Sequence, residues 1–347
     1  MTVSRPPRVS ATPSCSSRFS YSESTDLLGK GTYASVFAAT DTDGVLGKVA
    51  LKRIEFDHMV EGCPLLLLRE VGLASKLKHP NLVPIHAIEY MPIDGRANIA
   101  FELMSSDLRQ FLNRNGPLGG DLLVDASIQL ASGLDFLHSH GVMHRDLKPQ
   151  NVLVKTCVGG KICLKIGDFG LARTFKPRLS CKFTKEVMTL WYRCPELLLG
   201  GPLYGPRGDC WSLGCLVGEM ASGVAMFSGE SEVSVMFKIF KTLGTPTQES
   251  WNRVSELVNF STKFPQWVVS RDARRDTLTN LIVGDHHAAL KTPRDRIRIG
   301  SLTTTVTKNP SSSECCEALV KVLEGLLEYV PSQRLSAGDA RDILQQC

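Results

Sequence analysis

Several features that mark other protein classes are missing from this 347-residue sequence. It has no apolar run long enough to cross a bilayer, since its longest leucine run, Leu65–Leu68, ends at the charged pair Arg69-Glu70. Eleven cysteines form no CxxC pair and no Cys/His ligand spacing, so no metal-binding motif is indicated. Scattered, unpaired thiols are typical of a reducing intracellular compartment. A net charge of +5 is too small to indicate nucleic-acid binding.

Acidic residues are absent before Glu23, and residues 1–20 are rich in serine, proline and arginine. A segment of this composition cannot bury enough apolar surface to fold alone, so the sequence predicts a disordered tail over 1–20. An arginine- and serine-rich start without acidic residues also fits an organelle transit peptide. Pro6, Pro7 and Pro13 disfavour the amphipathic helix of such a peptide, and the plain tail is therefore the preferred interpretation.

After the tail, the hydrophobic pattern divides the chain into a strand-rich part and a helix-rich part. Short apolar runs broken by glycine predict strands from Ser20 to about Ile54, and residues 64–78 have a helical pattern. Helical patterns dominate the later part of the chain. The sequence therefore predicts an α+β fold of two lobes: a small antiparallel β-sheet lobe with one helix over 21–103, and a larger, mainly helical lobe over 104–347.

One segment of the helical lobe departs from this pattern. Residues 268–312 contain alternating arginine and aspartate, followed by threonine- and serine-rich sequence. We interpret this segment as a long surface insertion that is partly disordered.

One short region combines the residues that phosphoryl transfer from a magnesium nucleotide requires. It reads HRDLKPQN over His144–Asn151 and is followed by DFG, which begins at Asp168. Asp146 is the candidate base that orients a substrate hydroxyl and accepts its proton, and Lys148 is the candidate cation for the transferring phosphoryl group. Asn151 and Asp168 supply oxygen ligands for Mg²⁺. His144 fits a buried structural role better than a catalytic one.

A glycine loop and a lysine in an apolar strand precede this region. The loop GKGTYA, at residues 29–34, is followed by a strand-like run and then by a second run that carries Lys52. A dinucleotide-binding motif would need a helix after the glycines, so this order favours a hairpin whose backbone amides approach phosphate oxygens. A buried lysine needs a counter-charge, and Glu70 on the predicted helix is the natural partner. Their ion pair would hold the ammonium group against the phosphates of ATP.

The residues around Lys52 are expected to line a nucleotide site. The adenine would lie on apolar side chains and would form hydrogen bonds with main-chain groups beside them. The candidate ATP-binding residues are Leu28, Gly29, Lys30, Gly31, Thr32, Tyr33, Ala34, Val36, Ala50, Lys52, Phe101, Glu102, Met104 and Leu153. In another fold the apolar members would be core residues, so their assignment depends on the neighbouring motifs.

Together these motifs resemble those of eukaryotic protein kinases over residues 21–345. Lys148 within HRDLKPQN is similar to the serine/threonine branch of that family. A cyclin-dependent kinase is the closest resemblance for the segments GKGTYASVF, VALKRIEFD, DFGLAR, EVMTLWYRCPELLLG and DCWSLGCLVGEM. The resemblance implies a two-lobed protein kinase fold, ATP and Mg²⁺ as cofactors, and catalysis by Asp146, Lys148, Lys52 and Glu70. It also implies an intracellular location, in the nucleus, the cytoplasm or both.

Further implications of the resemblance concern the framework and the substrate. It implies that Glu196 pairs with Arg334 in the helical lobe and that Asp209 accepts hydrogen bonds from the backbone of the catalytic loop. The segment TLWYR, at residues 189–193, resembles the substrate platform of proline-directed kinases. Expected partners are protein substrates with serine or threonine before proline, and a cyclin or cyclin-like activator. No nucleic acid or membrane partner is expected.

Regulation by phosphorylation is implied at two places. The regulatory candidates are Thr184, Thr32, Tyr33, Arg69, Arg145 and Arg173. The three arginines match a family cluster that binds a phosphothreonine, and Thr184 occupies the matching loop position. The threonine and tyrosine at the tip of the glycine loop are candidate inhibitory sites, because a phosphate there would repel ATP.

Two alternatives stay open. A mitogen-activated or related proline-directed kinase is the main rival among enzymes, although the loop reads Thr-Lys-Glu from Thr184 where that group has Thr-x-Tyr. A pseudokinase that acts as a binding module is the rival from another class. Pseudokinases typically lose the lysine, the base or a metal ligand, and this chain retains all of them.

Overall fold

The chain divides into two compact units. The first comprises residues 1–75 and 84–103, and the second comprises 76–83 and 104–347. The first unit is an antiparallel sheet and the second is mainly helical, which confirms the predicted α+β fold class. The structure, a computed structural model, describes residues 17–30, 34–56, 72, 77–91, 93–169, 172–174, 190–201, 205–284 and 313–347.

The described part of the first unit forms one six-stranded sheet. Its strands are β1 (Phe19–Ser20), β2 (Leu27–Lys30), β3 (Ala34–Asp41), β4 (Lys48–Glu55), β5 (Ile85–Met91) and β6 (Arg96–Glu102). They pair antiparallel in the order β1-β3-β4-β6-β5, and β2 also pairs with β3. The helix predicted over 64–78 lies almost wholly outside the described residues.

Strand β4 shows how alternation gives the two faces of this sheet different surroundings. Successive side chains of a strand point to opposite faces. Val49 and Leu51 are fully buried on one face, where they belong to a core cluster with Phe19. Ala50 and Lys52 are half-buried on the other face. Ile54 on that same face is buried in a second core cluster with Ile99, which pairs with Lys52. Apolar packing on both faces therefore stabilises the sheet, and Lys52 lies half-buried beside it.

The boundary predicted for the disordered tail, at residue 20, is wrong. Arg18 donates two hydrogen bonds to the buried carboxylate of Asp41, at 2.6 and 2.8 Å. Phe19 is only 3% exposed. The partners of both residues are distant in sequence, so composition could not reveal them. The sheet thus begins before the predicted boundary, and the residues before 17 lie outside the described part of the chain.

The second unit is built mainly of helices, with short strands beside the motif-bearing loops. Its elements are β7 (Ser106–Asp107), α1 (Leu108–Asn115), α2 (Gly120–Ser139), β8 (Val142–Met143), β9 (Val152–Thr156), β10 (Ile162–Ile166), β11 (Arg173–Thr174), α3 (Pro195–Leu198), α4 (Pro206–Ser222), α5 (Glu232–Leu243), α6 (Arg271–Val283), α7 (Ser313–Leu326) and α8 (Ala337–Leu344). Strand β9 pairs with β7 and β10, and β8 pairs with β11. Among the helices described, none is long and apolar enough to span a bilayer.

Helix α4 lies in the interior of the second unit. Every residue from Gly208 to Ser222 is buried. Glycine allows close approach of a neighbour, since a Cβ on Gly214 would lie 3.0 Å from side-chain atoms of Leu326 and Leu327 at the end of α7. Polar side chains on α4 are consequently removed from water and need partners inside the protein.

Helix α6 lies in the segment that we interpreted as a surface insertion. Leu278 of this helix is fully buried. Arg274 donates to the main-chain carbonyls of Glu324 and Leu327, at 2.9 and 3.0 Å. The interpretation is therefore corrected for α6, which packs as part of the second unit. Its sparse apolar side chains give no clear helical period, and the remainder of the segment, 285–312, lies outside the described residues.

The predicted ion pair between Glu196 and Arg334 is confirmed. Two guanidinium nitrogens of Arg334 donate to the two carboxylate oxygens of Glu196, at 2.8 and 2.9 Å. Arg334 is 1% exposed and also donates to the carbonyl of Arg207, at 2.7 Å. The pair therefore joins α3, the first turn of α4 and the loop before α8.

Removing one member of this pair is expected to destabilise the protein strongly. Arg334→Met would leave the carboxylate of Glu196 buried without its cation, at a cost of about 3–5 kcal/mol in the free energy of unfolding. Denaturant unfolding of the variant measures this loss. The matched control is Arg253→Met, because Arg253 and Glu256 form an ion pair in which both side chains are mostly exposed. An Arg334 variant as stable as the control would contradict the role assigned to the pair.

Candidate active site

The catalytic loop is fixed by one buried carboxylate. Asp209, in the first turn of α4, is fully buried. Its Oδ2 accepts a hydrogen bond from the backbone N–H of His144, and its Oδ1 accepts one from the backbone N–H of Arg145, both at 2.8 Å. These bonds confirm the contact predicted for Asp209. They attach the loop that follows β8 to the helix in the interior of the unit.

The backbone of the site adopts two unusual conformations. Arg145 has a φ of 72° and Asp168 a φ of 60°, both in the left-handed region that non-glycine residues seldom occupy. Such a conformation costs on the order of 1–3 kcal/mol and persists only where surrounding structure holds it. At Arg145 the bond to Asp209 supplies that restraint. Arg145 precedes the predicted base and Asp168 is itself a predicted metal ligand, so two of the three non-glycine residues with positive φ in the described part of the chain lie at the site.

His144 occupies the structural position predicted for it. It is fully buried, and its Nε2 lies 2.9 Å from the carbonyl oxygen of Gly167. The backbone N–H of Asp146 donates to His144 Nδ1 at 3.3 Å, so the proton of the neutral ring belongs on Nε2. The ring also packs edge-on against the ring of Phe169, with the two ring centroids 5.7 Å apart. His144 thus joins the catalytic loop to the segment that precedes Asp168.

Asp146, Lys148 and Asn151 form a connected polar group. The ammonium of Lys148 donates to Asp146 Oδ2 at 2.7 Å. The side-chain amide of Asn151 donates to the same oxygen at 3.0 Å and to the backbone carbonyl of Asp146 at 2.7 Å. No described residue donates to Asp146 Oδ1, which leaves this oxygen available to accept a substrate hydroxyl. The structure therefore brings together the predicted base, the predicted cation and one predicted metal ligand.

The two predicted metal ligands fit Mg²⁺ in their chemistry. Both amide hydrogens of Asn151 are used on Asp146, so its side-chain oxygen is the atom left for coordination. Asp168 is exposed, and the residue before it, Gly167, donates its N–H to the backbone carbonyl of Asn151 at 2.9 Å. An amide oxygen and a carboxylate are the hard ligands that Mg²⁺ prefers.

The two strands predicted on either side of the glycine loop are confirmed in the first unit, and residues 31–33 between them lie outside the described residues. Strands β2 and β3 pair through Gly29↔Val36 and Lys30↔Ser35, and Ala34 begins β3. A strand rather than a helix therefore follows the glycines, which argues against a dinucleotide-binding motif.

Three of the predicted adenine contacts lie on the same face of this sheet as Lys52. Val36 pairs with Lys52 across β3 and β4, and Phe101 pairs with Ala50 across β4 and β6. Paired residues share a face, so all four side chains line one side of the sheet, and each is half-buried. Leu28, on β2, is 51% exposed. An incompletely covered apolar face beside a lysine suits a nucleotide base and its phosphates.

The remaining site residues lie in the first unit, in the second unit or outside the described residues. Glu102 ends β6 in the first unit, and Met104 opens the main part of the second. Leu153, half-buried on β9, pairs with Asp107. The predicted roles of these residues stay predictions. Those that lie outside the described residues are Gly31, Thr32, Tyr33, Arg69, Glu70 and Thr184, together with the side chain of Arg173.

Two buried contacts escaped the sequence analysis. Tyr192, in the predicted substrate platform, donates its hydroxyl to Glu219 at 2.6 Å and accepts a hydrogen bond from Arg109 at 2.7 Å. Burial raises the pKa of Glu219, while Tyr192 and Arg109 act in the opposite direction. The second contact joins His138 to Asp209. For the first contact, the sequence did contain a signal: Glu219 is a charged residue within the otherwise apolar run of α4.

His138 is held in its charged form by its surroundings. Burial lowers its pKa, but hydrogen bonds and charges from Asp209 and Cys210 outweigh burial and raise the pKa from 6.5 to about 9. In the unfolded chain the imidazole would lose its proton near its ordinary pKa. The folded state therefore binds one more proton than the unfolded state between these two pH values.

The free energy of unfolding is expected to fall as the pH rises from 6.5 to about 9. The contribution of His138 is complete below the unfolded pKa and is lost as the pH passes the folded pKa, a change on the order of 3 kcal/mol. Denaturant unfolding across this range measures the slope. His138→Leu should remove this part of the slope, and His140→Leu, at an exposed position, should keep it. An identical slope in wild type and His138→Leu would show that His138 is not the titrating group.

Comparison with known proteins identifies the family. A family model of the protein kinase domain matches residues 22–346, so the chain belongs to the protein kinase family. It is 43% identical over 246 residues to "Cell division control protein 2 homolog 3" of Trypanosoma brucei brucei, an alignment that covers 70% of this chain and 76% of the relative. The chain is a serine/threonine protein kinase of the cyclin-dependent-kinase-like type. Enzymes of this family use ATP and Mg²⁺.

Proposed function

We propose that this kinase transfers the γ-phosphoryl group of ATP to serine or threonine residues that precede proline in protein substrates. The observation that carries the proposal is the hydrogen-bonded group of Asp146, Lys148 and Asn151. Asp209 holds this group in place because it accepts the backbone N–H of the preceding residue, Arg145. Phosphoryl transfer depends on positioning and charge neutralisation, and these residues supply both.

Each residue of the group has one task in this proposal. Asp146 orients the substrate hydroxyl through Oδ1 and accepts its proton as the new oxygen–phosphorus bond forms, while the bond from the γ-phosphorus to the bridging oxygen breaks and ADP leaves. The ammonium group of Lys148 lies 2.7 Å from Asp146 Oδ2, where it neutralises negative charge on the transferring phosphoryl group. Asn151 and Asp168 would hold Mg²⁺, which neutralises phosphate charge when bound. Lys52, on the sheet of the first unit, binds the nucleotide phosphates with Glu70 as its counter-charge.

Substituting a metal ligand or the base is expected to remove most activity without unfolding the protein. Asp168→Asn and Asp146→Asn should each lower kcat by about a thousandfold or more, because no neighbouring residue duplicates either group. Steady-state kinetics with a peptide substrate measures this, and thermal unfolding checks the fold. Asp121→Asn, at an exposed position of α2, is the matched control. Near-wild-type turnover by folded Asp168→Asn would show that the metal ligand is misassigned.

Proline direction is supported by the segment that contains TLWYR. Within it Tyr192 is fixed by Glu219 and Arg109, and Arg193 forms an ion pair with Glu232 of α5. A platform held at both of these residues presents a rigid surface to the substrate chain. Its sequence resembles that of proline-directed kinases.

A degenerate peptide library should show selection for proline immediately after the phosphorylated residue. The physical reason is that a rigid platform favours a residue whose φ is already fixed and which offers no N–H to satisfy. Turnover of matched peptides with proline or alanine at that position measures the preference. Equal kcat/KM for the two peptides would contradict the proposed substrate class.

Activation and cellular role are proposed from the similarity to a cell-division control protein. We propose a cyclin or cyclin-like activator, a role in control of cell division or transcription, and an intracellular location in the nucleus, the cytoplasm or both. Phosphorylation of Thr184 would supply an anion for Arg69, Arg145 and Arg173. Arg145 supports this arrangement, since it is 7% exposed and its backbone is fixed by Asp209.

A further inference from the structure

The segment that precedes β2 crosses one face of the sheet in the first unit. We call this segment, residues 17–23, the strap. Near its start the hydroxyl of Ser17 donates to the carboxylate of Glu89 on β5, at 2.9 Å. Near its end Glu23 forms an ion pair with Arg53 on β4. The strap therefore contacts strands on both sides of the sheet, on the face opposite to Lys52.

The strap packs against the two residues that flank Lys52 in β4. Phe19, 3% exposed, belongs to the same buried cluster as Leu51, which precedes the lysine. Arg53, which follows the lysine, donates a hydrogen bond to the hydroxyl of Tyr21 at 3.1 Å. Its side chain is 11% exposed. Both neighbours of Lys52 are thus held from behind, while the lysine side chain points to the other face.

The same contacts join β4 to β3. The ring of Tyr21 is stacked on the ring of Phe37, with centroids 4.6 Å apart. The guanidinium carbon of Arg53 lies 4.9 Å from the centroid of the Phe37 ring, which is a cation–π contact. The residue before Phe37 is Val36, a predicted adenine contact, and it pairs with Lys52. The strap therefore supports both strands at the register that brings these two residues together.

The start of the strap is attached by a buried charge. Asp41 is 3% exposed and accepts two hydrogen bonds from the guanidinium of Arg18. A carboxylate removed from water needs a cation, and Arg18 supplies it. Thr42 donates its backbone N–H and its hydroxyl to the carbonyl of Arg18, at 2.9 and 2.7 Å. These bonds fix the chain just before Phe19, so the aromatic side chains of the strap are presented to the sheet.

We propose that Phe19 and Tyr21 are positioning residues for nucleotide binding: their packing on one face of β3 and β4 fixes the strands whose other face carries Val36 and Lys52. This inference rests on the proposed role of Lys52 in binding the nucleotide phosphates. A site whose strands are already held in place loses less conformational freedom when the ligand binds, and its affinity is correspondingly higher.

The variants are chosen to separate positioning from simple stability. Tyr21→Ala removes the stacked ring, Tyr21→Phe removes only the hydroxyl, and Phe19→Ala removes the packing against Leu51. Val45→Ala, at a side chain 77% exposed between β3 and β4, is the control in the same unit. Leu344→Ala, at a buried position of α8, is the control for a loss of stability in the second unit.

We expect Tyr21→Ala and Phe19→Ala to raise KM for ATP about fivefold or more, with KM for the peptide substrate within about twofold. Tyr21→Phe and Val45→Ala should keep KM for ATP within about twofold of wild type. Unfolding of part of the sample lowers the apparent kcat and changes neither KM. Leu344→Ala should therefore lower the thermal midpoint without changing KM for ATP.

A second readout is independent of activity. Amide hydrogen exchange in the peptide that covers residues 48–55 should be faster in Tyr21→Ala than in wild type and in Val45→Ala, while exchange in residues 206–222 stays unchanged. If Phe19→Ala does not fold, Tyr21→Ala decides the inference.

Unchanged exchange in 48–55, or KM for ATP within about twofold of wild type in folded Tyr21→Ala, would overturn the inference. Calorimetric titration of wild type with ATP and Mg²⁺ tests the proposed function separately. If wild type binds no ATP, the proposed role of Lys52 fails, and the exchange in 48–55 still decides whether the strap holds β4.

Discussion

The active site depends on a single buried carboxylate. Asp209 is removed from water, and its two oxygens accept the backbone N–H groups of His144 and Arg145. These bonds hold Arg145 in a left-handed conformation that it would not keep unaided. Asp146 follows directly, so the chain geometry sets its position. A base that is already in place when the substrate arrives needs little reorganisation, and this is the main way in which a protein can accelerate phosphoryl transfer.

Two groups of buried charged residues are in contact with the first turn of α4. On one side Asp209 meets His138 and the catalytic loop. On the other side Arg207 exchanges hydrogen bonds with Arg334, which also holds Glu196. Buried charges are costly unless paired, so both groups make the position of α4 specific as well as stable. The helix that positions the catalytic loop is in this way fixed to the elements that follow the substrate platform.

Local patterns predicted the parts of the site that lie close together in sequence. The motif around Asp146 and the hairpin before Lys52 could be inferred because spacing along the chain dictates their geometry. The contacts of Asp209 and the pair of Glu196 with Arg334 followed from resemblance. Contacts between distant residues escaped prediction for a physical reason: neither Arg18 with Asp41 nor His138 with Asp209 leaves any periodic trace. Helix α6 was not predicted because its burial depends on few side chains.

The most direct test of this account is the turnover of Asp209→Asn. The amide side chain keeps the shape of the carboxylate, but it offers one acceptor where two backbone N–H groups need one each, and it carries no charge for His138. Kinetics with a peptide substrate, together with thermal unfolding, would show whether positioning is lost in a folded protein. The account predicts that kcat falls by about a hundredfold or more while the protein still unfolds cooperatively. Folded Asp209→Asn with kcat within about twofold of wild type would contradict it.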